Sequence, residues 1–279
     1  MPATTSVAVL LAVYGEDDPD AFTASLESIL EQDFGGSIHV YLGIDGPLQD
    51  SLEAVVRQFT EAIHCVSRSQ LNVGLAVTLN RLMGLLSDEL YVFRMDADDI
   101  SLPWRFRVQI DHLVTHPWID IVGGNIIEFL DDGQQLPPRR FPQADQIVKY
   151  IARATPLAHP TVCFRREALQ KLQSYPTTGT NEDIALWFKA LALGMRLDNV
   201  EMVVLRFRLS AGVVRRRSVA KARSELVVYV KGIYQLKGVS TEMVYPVARF
   251  LFRMAPAFLV SLVYKFSGLR AWLLAGRRD

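Results

Sequence analysis

The chain has few cysteines and no excess of charge of either sign. Its 279 residues include two cysteines, Cys65 and Cys163, and 30 Lys and Arg residues balance 30 Asp and Glu residues. Two cysteines this far apart form neither a zinc pattern nor a disulfide framework, so we expect buried thiols in a reducing compartment. The absence of net positive charge argues against a general nucleic-acid-binding protein.

A signal peptide pattern is also lacking. No basic segment precedes the apolar residues 7–13, and the acidic residues 16–18 follow at once. We therefore expect a first β-strand rather than a signal sequence. Half of the residues are apolar, enough to bury a full core.

Apolar periodicity predicts strands and helices in alternation over the first hundred residues. Strands are expected at 7–13, 38–44, 64–67 and 90–95, with helices beginning after Asp18, near Leu52 and at Gly74. This alternation predicts an α/β fold with a doubly wound, mostly parallel sheet. Later expected elements are helices at 103–115, 146–154, 166–173 and 181–193, strands at 119–129, 162–164 and 202–209, and a hairpin-like turn at 131–133.

The C-terminal fifth differs in composition. Residues 243–278 contain no acidic residue but several basic and aromatic ones, and the longest uncharged run there, 254–264, is far shorter than a bilayer span of ~20 residues. We divide the chain into an α/β domain, 1–218, and an amphipathic helical region, 219–279. Such a composition suits a helix lying in a membrane interface; a hairpin packed on the main domain, or a contact in a homo-oligomer, stays open.

An acidic run at 96–99 follows the predicted strand 90–95. Ligand sites of α/β sheets lie at the carboxyl ends of strands. Carboxylates packed this closely repel one another, and a hard divalent cation between them removes the repulsion while leaving positions free for phosphates. Half of a metal–diphosphate site is one interpretation, and a solvated acidic turn is the other.

Several short motifs occur in a fixed order over the first four-fifths of the chain. They are Val13-Tyr14-Gly15-Glu16, Ser25 to Gln32, Asp45-Gly46-Pro47, Asn72-Val73-Gly74-Leu75, Arg94 to Asp99, Arg105-Phe106 with Gln109, Val122-Gly123-Gly124, His159 to Val162, Glu182-Asp183 with Leu186-Trp187, and Arg216-Arg217. With these motifs in this order, the chain resembles the family 2 glycosyltransferases, which have the GT-A fold, and among them those of bacterial exopolysaccharide and capsule (amylovoran) synthesis. Each motif alone is weak, and the ordered combination is specific.

The resemblance implies a set of donor-binding residues. They are Val13, Tyr14, Asp45, Asn72, Gly74, Arg94, Asp96, Arg216 and Arg217. Asp45 would meet the nucleotide base, expected to be uracil, although a turn-capping aspartate is the alternative. Arg94 can equally be a structural ion pair, and Asn72 can simply begin a helix. The family usually has glycine where this chain has Ser218, so a basic face toward anionic lipid is the alternative for the arginine pair.

The resemblance also implies the catalytic and metal-binding residues. Asp98, with Asp96, would bind Mg²⁺ or Mn²⁺, and Asp96 would lie near the ribose or a metal-bound water. Apart from the resemblance, we expect Asp99 to cap the next helix. Asp183 would be the general base that takes the proton of the attacking sugar hydroxyl; spacing alone does not distinguish it from Glu182. The acceptor side would comprise His159, Glu182 and Trp187, with positions in the protein core as the alternative for His159 and Trp187.

The function implied is an inverting, metal-dependent hexosyltransferase. The donor would be a nucleotide sugar, expected to be a UDP-sugar, and the acceptor a saccharide, expected to be lipid-linked, at the cytoplasmic face of the bacterial plasma membrane. A non-catalytic, membrane-associated nucleotide-sugar-binding scaffold and a nucleotidyltransferase are the alternatives. A dinucleotide oxidoreductase would need Gly-x-Gly-x-x-Gly after the first strand, where the sequence is Tyr14-Gly15-Glu16.

Overall fold

An eight-stranded mixed sheet organises the molecule. The computed structural model describes residues 5–177, 181–209 and 219–254. The strands are β1 (Ser6–Tyr14), β2 (Ser37–Asp45), β3 (Ile63–Ser69), β4 (Tyr91–Asp96), β5 (Ile100–Ser101), β6 (Ile121–Phe129), β7 (Cys163–Arg165) and β8 (Leu197–Arg208). The helices are α1 (Pro19–Leu30), α2 (Asp50–Gln58), α3 (Leu75–Met83), α4 (Arg105–Thr115), α5 (Ala144–Tyr150), α6 (Arg166–Leu172), α7 (Glu182–Ala192), α8 (Val219–Lys237) and α9 (Val244–Met254), with 3₁₀ turns at His159–Thr161 and Thr241–Met243.

The strand order is β3-β2-β1-β4-β7-β6-β8-β5. Strands β3, β2, β1 and β4 are parallel, and β7 runs antiparallel to both β4 and β6. Strands β6 and β8 are parallel, and the short β5 is antiparallel to β8. The predicted α/β fold with a mostly parallel sheet is confirmed.

The two faces of the sheet are covered by different helices. On β1, Val9 and Leu11 point into a core that α1, α2 and α4 complete, whereas Leu10 packs with α3, α6 and α7. This alternation buries both faces of β1, as its continuous apolar sequence requires. Asp18 caps α1 by accepting a hydrogen bond from the backbone N–H of Ala21, with proline at the first helical position.

Some predicted boundaries differ from the observed ones. The apolar spacing that predicts the second helix extends from Leu52 to Ile63, but the helix ends at Gln58, and Ile63 begins β3. The last strand begins at Leu197 rather than 202, and β5 was not predicted. A two-residue strand has no periodicity of its own, since only its pairing with β8 defines it.

The described part of the C-terminal region is helical. In α8, Tyr229 and Ile233 are buried in the core, and Gly232 lies so close to the Phe188 ring that a Cβ there would come within 2.2 Å of it. Helix α9 packs on α8, where Glu225 pairs with Arg249 and Arg253. Among the described residues, no helix is both long enough and apolar enough to cross a membrane. The division at residue 218 stays a prediction.

Candidate active site

The carboxyl ends of β1, β2 and β4 form one edge of the sheet, and most predicted donor-binding residues lie there. Tyr14 is paired with Asp45, and Ala12 with Asp96, in the strand register. Val13 is buried behind this edge, while Tyr14 is partly exposed. The parallel strands therefore bring together side chains that are separated by about thirty to eighty residues in sequence.

Asp45 organises the loop that precedes α3. Its two carboxylate oxygens accept hydrogen bonds from the backbone N–H groups of Val73 (2.7 Å) and Gly74 (2.8 Å). Gly74 has φ 89°, a conformation that glycine adopts without strain. Asn72 is exposed at the same loop. Asp45 is thus an anchor for this loop, and each of its oxygens keeps lone-pair capacity for a ligand.

Glycine permits close packing of the neighbouring loops. Gly46 has φ 91°, and a Cβ at this position would lie 2.9 Å from the backbone nitrogen of Asn72. A Cβ on Gly15 would lie 2.7 Å from the carbonyl oxygen of Pro47. Both loops after β1 and β2 therefore depend on the absence of a side chain.

Three carboxylates converge just after β4. Asp96, Asp98 and Asp99 each offer an oxygen, and these oxygens lie within 4.8 Å of one another. Burial and the charge of Asp96 raise the pKa of Asp98 to about 6. Burial, with the charges of Asp96 and Asp98, raises the pKa of Asp99 well above its usual value. Desolvation of the buried carboxylates is the larger cause, and their mutual repulsion adds to it.

Asp17 belongs to the same acidic group, and the motifs did not identify it. Its carboxylate accepts a hydrogen bond from the Tyr14 N–H in the loop after β1. Burial, and then the charges of Asp98 and Asp96, raise its pKa to about 7. In the sequence, Asp17 is one of three consecutive acidic residues, with Glu16 and Asp18, and no pattern distinguishes it from them. Only the fold brings it toward Asp96 and Asp98.

The chemistry of this cluster fits a hard divalent cation. The donor set consists of carboxylate oxygens, which Mg²⁺ and Mn²⁺ prefer. The buried Oδ2 of Asp99 has no hydrogen-bond partner, although a buried carboxylate oxygen normally has one. Asp99 does not cap α4 as predicted: its Oδ1 accepts from the backbone N–H of Arg208, and α4 begins at Arg105 without a side-chain cap.

Arg94 links the acidic cluster to the second half of the site. Its side chain is 2 % exposed and forms an ion pair with Asp96. Its positive charge also lowers the pKa values of Asp98 and Asp183. The structure contains the ion pair that was the alternative to a donor contact, and Nε and Nη1 of Arg94 are buried without hydrogen-bond partners.

Asp183 lies in the first turn of α7, directly after Glu182. Burial raises the pKa of Asp183 to about 6, and the charge of Glu182 adds to the increase, while the N–H of Ile184 and Arg94 oppose it. A carboxylate with this pKa is ionised at neutral pH and is a stronger base than an ordinary aspartate. The raised pKa of Asp183 fits the role of the base.

Comparison with known proteins identifies the family. The model of the family described as "Glycosyl transferase family 2" matches residues 8–173, more than half of the chain. The chain belongs to glycosyl transferase family 2. The glycosyltransferase is 29 % identical over 261 residues to "Amylovoran biosynthesis glycosyltransferase AmsE" of Erwinia amylovora, covering 92 % of this chain and 97 % of the relative.

A second relative is named for its reaction. The glycosyltransferase is 26 % identical over 266 residues to "UDP-Gal:alpha-D-GlcNAc-diphosphoundecaprenol beta-1,3-galactosyltransferase" of Escherichia coli, covering 94 % of this chain and 96 % of that one. Membership of the family argues against the nucleotidyltransferase alternative.

Solved structures share the fold. S. aureus TarS 1–349 in complex with UDP-GlcNAc superposes with a TM-score of 0.66 at 17 % identity, covering 89 % of this chain and 72 % of TarS 1–349. The mannosyltransferase PcManGT from Pyrobaculum calidifontis, in complex with GDP-Man and Mn²⁺, gives a TM-score of 0.60 at 16 % identity, covering 97 % and 83 %. At these identities the likeness establishes the GT-A-like fold.

Several buried motif residues of the glycosyltransferase support the acidic turn through hydrogen bonds to the backbone. Ser25 Oγ donates to the carbonyl of Asp96, and Arg105 Nη2 donates to the carbonyl of Arg94. Gln109 accepts from Arg105 Nε and donates to the carbonyls of Val122, Gly123 and Thr161. These motifs therefore hold β4 and the turn rigid rather than contacting a ligand.

Two of the predicted acceptor-side residues are buried. His159 is 7 % exposed, and its Nε2 lies 3.1 Å from the hydroxyl of Tyr175. Burial lowers the pKa of His159 well below its usual value, and Arg94 adds to this effect, so the imidazole is neutral. Trp187 is fully buried with its ring edge against His159. It offers no exposed face to a sugar, and the structure favours its interpretation as a core residue.

Arg208 is a further residue that the motifs missed. At the end of β8 its backbone N–H donates to Asp99, Nε donates to the carbonyl of Asp98, and Nη1 donates to Asp131. The predicted donor-binding residues Arg216 and Arg217 lie outside the described residues. Arg208 ties the acidic turn to the end of β8.

Proposed function

We propose that the protein is an inverting, metal-dependent hexosyltransferase that transfers a sugar from a UDP-sugar to a hydroxyl of a saccharide acceptor in exopolysaccharide or other cell-surface polysaccharide synthesis. One observation carries the proposal. The acidic turn after β4 and the carboxylate of Asp183 are coupled electrostatically through the buried Arg94. A transferase that inverts in one step needs these two functions, leaving-group stabilisation and a base, on one site.

The donor half of the proposal uses the edge formed by β1, β2 and β4. Asp45 and the loop at Asn72 and Gly74 receive the base and ribose, and Val13 and Tyr14 flank them. A uracil imide N–H is a donor that a carboxylate oxygen accepts. The UDP-GlcNAc bound to TarS and the UDP-galactose in the name of the Escherichia coli relative support a uridine nucleotide.

The metal half of the proposal uses Asp98 together with Asp96. These carboxylates would bind Mg²⁺ or Mn²⁺, with Asp17 and Asp99 adding negative charge nearby. When bound, the cation neutralises charge on the departing nucleoside diphosphate. Arg94 holds Asp96 in place, and Arg216 and Arg217 are proposed to contact the diphosphate.

Asp183 is the proposed catalytic base. A sugar hydroxyl is a weak nucleophile, and a carboxylate placed beside it accepts its proton as the new C–O bond forms. The hydroxyl oxygen attacks the anomeric carbon from the side opposite the leaving diphosphate, and the configuration inverts. Glu182 lies next to the base on the acceptor side. The buried His159 packs against Trp187 of the same helix and supports the acceptor side from the protein interior.

The acceptor is proposed to be lipid-linked at the cytoplasmic face of the plasma membrane. The name of the Escherichia coli relative includes a diphosphoundecaprenol-linked sugar. An exposed stripe runs along α9, formed by Val244, Val247, Leu251 and Met254. Basic and apolar residues dominate the sequence that follows, 255–279. Together these features suit peripheral binding to an anionic membrane surface.

A binding screen tests the donor proposal. Melting temperatures of the full chain would be measured with UDP, GDP, CDP and TDP sugars, each with and without Mn²⁺. We expect the uridine compounds to stabilise the protein, and to do so more strongly with Mn²⁺. Stabilisation by a different nucleotide would change the assigned donor, and no nucleotide effect at millimolar ligand would refute the proposal.

Vesicle co-sedimentation tests the membrane proposal. We expect binding to vesicles containing phosphatidylglycerol but not to neutral vesicles, and a loss of binding when Val247 and Leu251 are both changed to Glu. Val114, exposed on α4, provides the control Val114→Glu. Equal binding by both variants would refute the role of α9, and a concentration-dependent dimer that the double variant abolishes would assign the stripe to a second copy.

A further inference from the structure

A second group of potential metal ligands lies at the edge of the sheet opposite the proposed donor site. His39 is near the start of β2, His64 near the start of β3, and Glu89 two residues before β4. These three strands are parallel, so all three residues lie at the amino ends of strands. Each offers a ligand atom, and these atoms lie within 4.8 Å of one another.

The two imidazole rings are already arranged side by side. The rings of His39 and His64 stack with centroids 4.3 Å apart and planes 10° apart. His64 is exposed, and the side chain of His39 is 26 % exposed, so an ion from solvent reaches both.

Glu89 orients His39. The carboxylate is fully buried, and its Oε1 lies 2.8 Å from His39 Nδ1 while accepting a second hydrogen bond from the Tyr41 hydroxyl at 2.6 Å. Because a carboxylate accepts, the proton lies on Nδ1, and Nε2 keeps its lone pair. A carboxylate behind a histidine is the usual second-layer partner of a metal-binding imidazole.

The type of ligand selects the class of metal. The two groups offered to the ion are imidazole nitrogens, and the Glu89 carboxylate lies behind His39 with Arg166 Nη1 3.9 Å from its Oε2. Imidazoles bind Zn²⁺, Ni²⁺ and Cu²⁺, whereas Mg²⁺ and Ca²⁺ prefer oxygen ligands.

We propose that His39 and His64 bind a divalent transition-metal ion of the Zn²⁺ class, with Glu89 orienting His39 and water completing the coordination. Ligand nitrogens about 2.0–2.1 Å from the ion require the exposed His64 ring to turn toward His39. The ion would tie β2 to β3 on the side away from the sugar-transfer chemistry, which makes this site independent of the proposed function.

Calorimetric titration of Zn²⁺ into the full chain tests the proposal, with millimolar Mg²⁺ present to occupy the aspartate cluster. We expect one Zn²⁺ equivalent in the wild type and at least about tenfold weaker binding in His64→Ala, which changes an exposed residue, and in Glu89→Gln. The matched control is His116→Ala, since His116 stacks on His112 at the same 4.3 Å but is not part of a ligand cluster.

Histidine ring NMR signals give a second readout. The chain has five histidines, and substoichiometric Zn²⁺ should shift the signals of His39 and His64 while leaving those of His112, His116 and His159 in place. Absence of Zn²⁺ binding to the wild type, unchanged affinity in His64→Ala, or equal weakening in His116→Ala would each overturn the assignment.

Discussion

Arg94 and Asp96, two residues apart on β4, form an ion pair in which the guanidinium is 2 % exposed and the carboxylate 31 % exposed. Alternate residues of a strand point to the same face, so this spacing lets one side chain hold the other. The pair places a fixed positive charge between the acidic turn and the first turn of α7. The Arg94 charge lowers the pKa values of Asp98, Asp99 and Asp183.

Asp183→Asn is expected to bind a UDP-sugar and Mn²⁺ like the wild type and to lose transfer. A positioned general base contributes about 10²–10⁴-fold, so turnover should fall by a factor in that range. Radiolabelled transfer and calorimetric donor binding measure the two effects. Glu182→Gln is the matched control, and a Glu182→Gln variant that loses more activity than Asp183→Asn would assign the base to Glu182.

The activity should depend on pH through Asp183. Its pKa is raised to about 6, and a base works only when ionised, so kcat/KM should fall as pH decreases through about 6. Arg94 lowers this pKa; Arg94→Met should therefore move the acid limb to higher pH. Arg107→Met, which breaks an exposed pair with Asp33, should leave the limb where it is. An unmoved limb in a folded Arg94→Met protein would contradict the electrostatic link.

Asp98→Asn should abolish the stabilisation of the protein by Mn²⁺ and its enhancement of nucleotide binding. The neutral amide removes one of the charges that attract the cation. Thermal melts with and without Mn²⁺ provide the measurement, and Asp111→Asn, on the exposed side of α4, is the control. Retention of the full Mn²⁺ effect in Asp98→Asn would exclude Asp98 as a ligand.

Asp17 should make the metal-free protein less stable as pH rises. Its folded-state pKa is raised to about 7, so the folded state holds this proton more tightly than the unfolded state does. The resulting stability is present below the ordinary aspartate pKa and is lost as pH increases through about 7. Asp17→Asn should flatten this dependence and raise Tm at pH 8 by about 2–4 °C, a shift of the size that 1 kcal/mol produces in a chain of this length. An unchanged Tm profile from pH 5 to 8 would contradict the assignment.

Gly46→Ala should weaken nucleotide binding without unfolding the protein. The added Cβ would lie 2.9 Å from the Asn72 nitrogen at a positive φ, so the loop that Asp45 anchors must move. Gly35→Ala adds a methyl group where nothing lies within 4 Å and should leave Kd unchanged. Equal donor affinity in both variants would show that the loop does not contact the nucleotide.

The order of strands and helices was predictable because each has its own periodicity or cap. Asp18 with Pro19 marked the start of α1, and the alternation of apolar runs indicated the parallel half of the sheet. The residues that only tertiary contacts define were missed: β5 exists through its pairing with β8, and the place of Asp99 depends on the backbone of Arg208. Glu182 and Asp183 share the first turn of α7, and sequence spacing did not show which of the two is the base.

The sequence by itself determined the chemical inventory of the protein, namely the acidic run after a buried strand, Asp183 at a helix start, and a motif order typical of one family. Those features depend on local patterns that extend over a few residues. Tertiary structure decided which groups influence one another. The charges of Asp96 and Asp98 act on Asp17 only because β1 and β4 are adjacent in the sheet. The charge of Arg94 acts on both the acidic turn and Asp183 only because burial fixes its side chain. Electrostatic coupling depends on distance and desolvation, and neither is set by position along the chain.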